Sequence, residues 1–202
     1  MENVKIIQAN PKSEEGGKLN RIALDYMAYP LVGSKDDSII EKTLQTLWGI
    51  GMNRFSHQFA YEAQVNLKTV GMITCYPVII MNQLAWPTFR ELIKLRKWSL
   101  VEHSIAHLQE VFSMINLKEG REDEFHIGTL ATLPESRGYG IGSKLINYAE
   151  NLAMRNLYHK CSLTVKKENE QARRLYEKMG YHIVDSIEKK PYSLYRMVKN
   201  LI

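Results

Sequence analysis

Apolar positions along the 202-residue chain follow two rhythms, one recurring every three or four residues and one made of short β-branched runs. The first marks helices and the second strands. Residues 4–8 (VKIIQ) read as a first strand, closed by the polar, glycine-bearing NPKSEEGG. A helix is expected over residues 19–28. A second starts at Asp37 or Ser38, natural N-caps, carries Ile40, Leu44, Leu47 and Trp48 on one face, and is ended by Gly49 and Gly51. Residues 55–64 and 69–81 are expected to pair as strands about a turn at Val65-Asn66, the second interrupted by Pro77. From residue 86 to 117 the pattern is helical, with Val101, Ile105, Leu108, Phe112 and Ile115 forming one apolar stripe.

After the charged loop LKEGRED, residues 124–133 read as a strand. Ile141, Leu145, Tyr148, Ala149 and Leu152 then share one face of a helix running to about residue 158. A strand over 161–165, a helix over 169–179 stopped by Gly180, and strands over 181–187 and 193–198 complete the chain. This order of elements predicts one mixed α/β domain over residues 1–202, with a substantial sheet and a helical insertion at 86–117.

Composition narrows the picture modestly. With 45% hydrophobic and 24% charged residues the chain has the makings of a packed core, so disorder is not expected. No apolar run approaches the roughly 20 residues of a membrane span, and the longest candidate, residues 78–81, is strand-sized. The N-terminal MENVKIIQAN lacks the features of a secretory signal, which points to a cytoplasmic protein. Cys75 and Cys161 sit in apolar runs, where buried free thiols are favoured over a disulfide. No Cys/His cluster has zinc spacing, so no metal is expected. The net charge of +5 suits an anionic ligand but also many solvated surfaces. Acidic residues interleave with the basic ones and no nucleic-acid-reading motif is present, so neither nucleic acid nor membrane is an expected partner.

The junction PESRGYGIGSKL is more informative. It joins a strand to a helix through Gly138, Gly140 and Gly142, with Arg137 and Lys144 beside them. The first amides of a helix lack internal partners and carry partial positive charge. Glycines let an anion approach those amides without Cβ collisions, so the junction is suited to seat a phosphate or pyrophosphate. Two nucleotide signatures fail here. Five residues on from Gly138 stands Ser143, which leaves no P-loop Gly-Lys step, and GxGxxG fails from Gly138 (Ser143) and from Gly140 (Leu145) alike.

Arg137-x-x-Gly140-x-Gly142 instead resembles the Q/R-x-x-G-x-G/A pattern of the GNAT superfamily of N-acetyltransferases. LATLPESRGYGIGSKLI is similar to that family's strand, turn and helix, and NEQARRLYEKMGY, residues 169–181, is similar to its N-x-x-A-x-x-L/F-Y-x-x-x-G-F/Y segment. The likeness is close over residues 130–181. It implies an α+β fold with a mixed, mostly antiparallel central sheet flanked by helices.

The resemblance also implies an acyltransferase that takes acetyl-CoA as co-substrate and moves the acetyl group to a primary amine by direct attack in a ternary complex. A CoA-binding sensor or scaffold on the same fold is the alternative. Backbone amides of Arg137, Gly138, Tyr139, Gly140, Ile141, Gly142 and Ser143 would surround the pyrophosphate. Leu130, Ala131, Thr132 and Leu133 would pair with the pantetheine arm. Asn169 would bond the cofactor or cap its own helix. Tyr176 matches the family tyrosine near the cofactor sulfur, a suitable acid for a departing thiolate, and is otherwise a core aromatic. Glu124 and His126, two apart on a strand and of the same parity as Gly128 and Leu130, are the candidate bases, although Glu124 at the end of a charged loop would equally be solvated.

The 86–117 insertion departs from the family pattern, which connects these strands briefly. It would wall the acceptor site, offering Arg90, Lys94, Arg96 and Lys97 to an acidic substrate, or pack its apolar stripe on the core or on a second copy in a homodimer. The acceptor, a small-molecule or peptide amine, is not encoded in any motif.

Overall fold

The computed structural model describes residues 4–106, 113 and 117–201. Leu19 faces Trp48 and Ala60 on one side of a sheet, and Ile73, Ile127 and Leu163 face Leu145 and Ala149 on the other. The two faces are clad by different parts of the chain. Strand β1 (Lys5–Gln8) leads to helices α1 (Gly16–Leu24), α2 (Ala28–Val32) and α3 (Asp37–Gly49). Then come β2 (Ala60–Val65), β3 (Lys68–Pro77), α4 (Val78–Gln83), α5 (Ala85–Ala106) and β4 (Phe125–Thr132). The remainder is α6 (Ile141–Arg155), β5 (Lys160–Lys166), α7 (Glu170–Lys178), β6 (His182–Lys189) and β7 (Tyr192–Asn200). The strands form one seven-stranded sheet in the order β1-β2-β3-β4-β5-β7-β6. Every neighbouring pair is antiparallel except β4 and β5.

The α/β class, the sheet and most elements agree with the sequence pattern, and the differences have local causes. Asp36, not Asp37 or Ser38, caps α3, its carboxylate accepting from the Ser38 and Ile39 amides. The stretch 55–59 is not strand: Ser56 accepts from the Gln58 amide and opens a 3₁₀ turn, His57–Phe59, so β2 starts only at Ala60. Val78–Gln83 is helical because Pro77 ends β3 in an extended conformation and sits at the cap of α4, which buries Val78 and Met81 one turn apart. The hairpin forms with its turn one residue later than expected, at Asn66 and Leu67, both at positive φ, since Val65 still pairs with Lys68.

The insertion differs from a helix over 86–117. Helix α5 breaks at Lys97 (φ 48°) and is described to Ala106, and the chain from 117 runs as a loop into β4. It buries Leu92 and Leu100 against α2 and α3, whereas Ile105 of the expected stripe is exposed. Leu108, Phe112 and Ile115 lie outside the described residues. Arg90 and Lys94 bond Glu91 of their own helix, and Arg96 donates to the Val32 carbonyl. No described helix is long and apolar enough to cross a membrane. Cys75 and Cys161 are buried and free, and burial pushes both thiols up, Cys161 to about 12.

Packing of α1 on α3 is tight enough to test. A Cβ on Gly16 would stand 2.3 Å from the Trp48 ring, whose Nε1 is held by the Asn10 carbonyl, whereas one on Gly49 would meet only the Pro11 carbonyl at 3.9 Å. Gly16→Ala should therefore cost about 1–3 kcal/mol by overpacking, and Gly49→Ala far less, measured by urea unfolding.

Candidate active site

The site begins where two parallel strands part. β4 and β5 pair only at Phe125↔Cys161, His126↔Ser162 and Ile127↔Leu163. β4 stays bonded to β3 as far as Thr132, and β5 to β7 as far as Lys166, so beyond Ile127 the two strands diverge while each keeps its outer neighbour. The register of β3 on β4 shifts between Thr74 and Cys75, which leaves Gly128 as an extra residue, a β-bulge. A bulge changes side-chain parity. Phe125 and Ile127 face α6, and beyond the bulge that face is taken by Leu130, while Ala131 and Leu133 join the α1 side. His126 therefore shares no face with Leu130, contrary to uninterrupted alternation. Gly128 is required by close approach: a Cβ there would stand 2.3 Å from the Tyr76 hydroxyl. The inner edge of residues 128–132 is left to hydrogen-bond an extended guest.

The strand end passes through a 3₁₀ turn, Pro134–Ser136, into the glycine junction. Gly138 (φ 85°) and Gly140 (φ 73°) are left-handed, and a Cβ on either would meet nothing within 4 Å. The left-handed conformation favours glycine at both, and the space before them is open. Gly140 is the N-cap of α6 with no side chain capping it, and the first helical bond is Lys144 N–H to the Gly140 carbonyl at 3.1 Å. The amides of Ile141, Gly142 and Ser143 precede that bond and point out of the helix end. Arg137 and Lys144 are exposed beside them. An uncapped helix N-terminus of this kind has the geometry and partial charge that suit an anion.

Strand gap and glycine seat open into one cleft of about 640 Å³. Leu130, Ala131, Thr132, Arg137, Gly138, Gly140, Ile141, Gly142, Ser143, Asn169 and Tyr176 all line it. Leu133 and Tyr139 do not: Leu133 is buried and donates its amide to the Val70 carbonyl, and Tyr139 points to solvent at 76% exposure. Asn169 caps α7, accepting from the Ala172 amide at 3.1 Å, while lining the cleft. The opposite wall is Ile22, Ala23, Leu24 and Met27 of the α1–α2 segment. That wall is pinned to β5 by Lys166, whose Nζ lies 2.6 Å from Asp25 and over the Tyr26 ring. None of Arg90, Lys94, Arg96 or Lys97 lines the cleft.

Comparison with known proteins agrees with this geometry. Residues 34–181 match the acetyltransferase (GNAT) family model. The chain belongs to the GNAT family. A curated relative, the S-alkylcysteine N-acetyltransferase of Bacillus subtilis, is 28% identical over 140 residues, covering 63% of this chain and 78% of its own. The crystal structure of an N-acetyltransferase from Staphylococcus aureus Mu50 is 25% identical over 96% of this chain and 99% of its own, with a TM-score of 0.70. PaiA N-acetyltransferase from Thermoplasma acidophilum, solved in complex with coenzyme A, shares the fold at 14% identity and a TM-score of 0.56, covering 98% of each chain.

In this GNAT acyltransferase the predicted bases occupy other positions. Glu124 is not solvated but 2% exposed, ion-paired with buried Arg196 and accepting from the Arg121 amide. His126 is fully buried, its Nδ1 3.0 Å from the Ser162 hydroxyl. Neither lines the cleft. Among the described residues, the carboxylate that does is Glu119, in the loop read from sequence only as charged. Arg54 holds it at 2.7 Å and pulls its carboxyl below the ordinary range against the opposing effect of burial. Tyr176 lies 8% exposed against Tyr181, and burial pushes its phenol up to about 12, so it keeps its proton at neutral pH.

Burial depresses His126 from 6.5 to about 4. Between those values the unfolded chain binds a proton that the folded one refuses, so stability falls as pH drops through that window and owes nothing to this group's titration above it. His126→Gln should flatten the pH dependence of the thermal midpoint there; an unaltered slope would contradict the assignment.

Proposed function

We propose that this chain transfers the acetyl group of acetyl-CoA to a primary amine by direct attack in a ternary complex. The observation carrying the reading is the continuity of an uncapped helix N-terminus, a free strand edge and a buried phenol along one cleft. An acyl-CoA has its diphosphate, its extended amide-bearing arm and its thioester in that same order. Amides of residues 141–143, with Arg137 and Lys144, would hold the diphosphate. The edge of residues 128–132 would bond the arm, and a strand amide near the bulge would polarise the thioester carbonyl.

Tyr176 holds its proton at Oη and would give it to the sulfur as negative charge develops there. The phenol is then restored by the proton the attacking nitrogen loses. Because Glu124 and His126 stand off the cleft, the amine's first proton would leave through water. The likeness to an S-alkylcysteine N-acetyltransferase favours small amines, amino acids among them, at the head of a list of acceptors.

Three measurements test this. A panel of S-alkylcysteines, other amino acids, polyamines and peptides, scored by thiol release, should yield at least one acceptor, and release from none would remove the activity. Gly140→Glu puts a side chain on a left-handed residue and a negative charge in the seat, and should abolish acetyl-CoA binding in calorimetry without unfolding the protein. Tyr176→Phe should lower kcat about 100-fold with coenzyme affinity unchanged; equal turnover would remove the acid role.

A further inference from the structure

Three charged or titratable groups converge at one cleft-lining residue, Glu119, with Arg54 and His126 behind it. Arg54 bonds one oxygen of Glu119, Oε1, at 2.7 Å. The other oxygen, Oε2, has His126 Nε2 as its nearest ionic partner at 3.9 Å, beyond hydrogen-bond distance. That Nε2 is itself buried without a partner, although the histidine is fully enclosed. A buried, unpartnered nitrogen therefore stands near the carboxylate oxygen that Arg54 leaves free, on a residue that lines the cleft. Burying such groups unpaired is unfavourable, so the arrangement suits a hydrogen-bonding guest.

The guest's charge follows from position. Glu119 lies beside His126, where β4 and β5 are still paired, while the anion seat lies beyond the other end of β4. From Ile127 to Leu133 a strand advances about 20 Å. A carboxylate at the phosphate end would repel the ligand; at the far end, beyond the bulge, it faces the place where the acyl acceptor must arrive. Arg54 fixes the carboxylate but occupies only Oε1, and Tyr76, hydrogen-bonded to Arg54 and packed against Gly128, ties the pair to the bulge. Side-chain exposure of Glu119 is 16%, so water screens it little.

We propose that Glu119 Oε2 binds the acceptor's ammonium group, selecting protonated primary amines and placing the nitrogen beside the β4 bulge, with Arg54 and His126 positioning the carboxylate. The proposal rests on the acetyltransferase reading above. It assigns to the loop between α5 and β4 a substrate-contacting residue in place of Glu124, whose carboxylate is committed to Arg196. Glu119 acts here as a fixed charge that recruits the amine; the proton the amine must lose still departs through water.

The test runs the acceptor panel side by side on wild type and Glu119→Gln. A charged hydrogen bond is worth roughly ten- to a hundredfold in affinity. Glu119→Gln should raise the acceptor KM by at least about tenfold, with the acetyl-CoA Kd unchanged, and Glu119→Asp should recover part of the loss. An acceptor KM within about twofold of wild type overturns the assignment. Should the glutamine variant not fold, wild type alone decides. The alcohol bearing hydroxyl in place of the acceptor's amine should inhibit at least about tenfold more weakly than the amine binds, and equal affinity overturns the proposal. Failure of wild type to release thiol with any amine falls on the activity itself, and takes this assignment with it.

Discussion

The structure depends on one constraint, the parting of β4 from β5 after three paired residues. A parallel pair normally continues its ladder, and opening it leaves backbone groups without partners in the middle of a sheet. The opening is held by what flanks it. β3 and β7 keep the outer edges bonded, and the bulge at Gly128 bends β4 where the pairing stops. Helix α6 packs Ile141, Leu145, Ile146 and Ala149 on one sheet face, and α1 packs Leu19 on the other. The gap is thus a cavity with hydrogen-bonding walls inside a framework that does not need it filled. Its mouth is the N-terminus of α6, so the anion seat and the strand edge are two parts of one opening.

Charges buried around this gap are paired before they are placed. Arg196 meets Glu124 and Arg54 meets Glu119, one pair behind the strands and one at the cleft. Removing one partner of such a pair commonly costs about 3–5 kcal/mol, because the other charge is left desolvated. His126 lies between the pairs and stays neutral near pH 7 because burial outweighs the carboxylates beside it. The difference between the two carboxylates follows from backbone position. Glu124 sits at the root of β4, behind the paired strands, whereas Glu119 lies five residues earlier in a loop that can turn to the cleft.

Periodicity and turn chemistry made much of this legible beforehand. The glycine junction, the apolar face of α6 and the Asn169-to-Gly180 helix all obey local rules that tertiary contacts reinforce. VIIM was ambiguous because a β-branched run suits strand and buried helix alike, and Pro77 decided for helix. Gly128 was a visible signal, since an isolated glycine in a strand marks a bulge, yet alternation through it put His126 on the wrong face. Nothing local separates Glu119 from its charged neighbours in LKEGRED. Its role arises from Arg54, 65 residues away in sequence, and only folding brings the two together.

A crystal structure of the chain with acetyl-CoA tests the central claim most directly. The account predicts diphosphate oxygens within about 3 Å of the amides of residues 141–143, with the thioester lying at the bulge between β4 and β5. A diphosphate bound away from the α6 N-terminus, or a strand gap closed onto itself with the coenzyme outside, would contradict it.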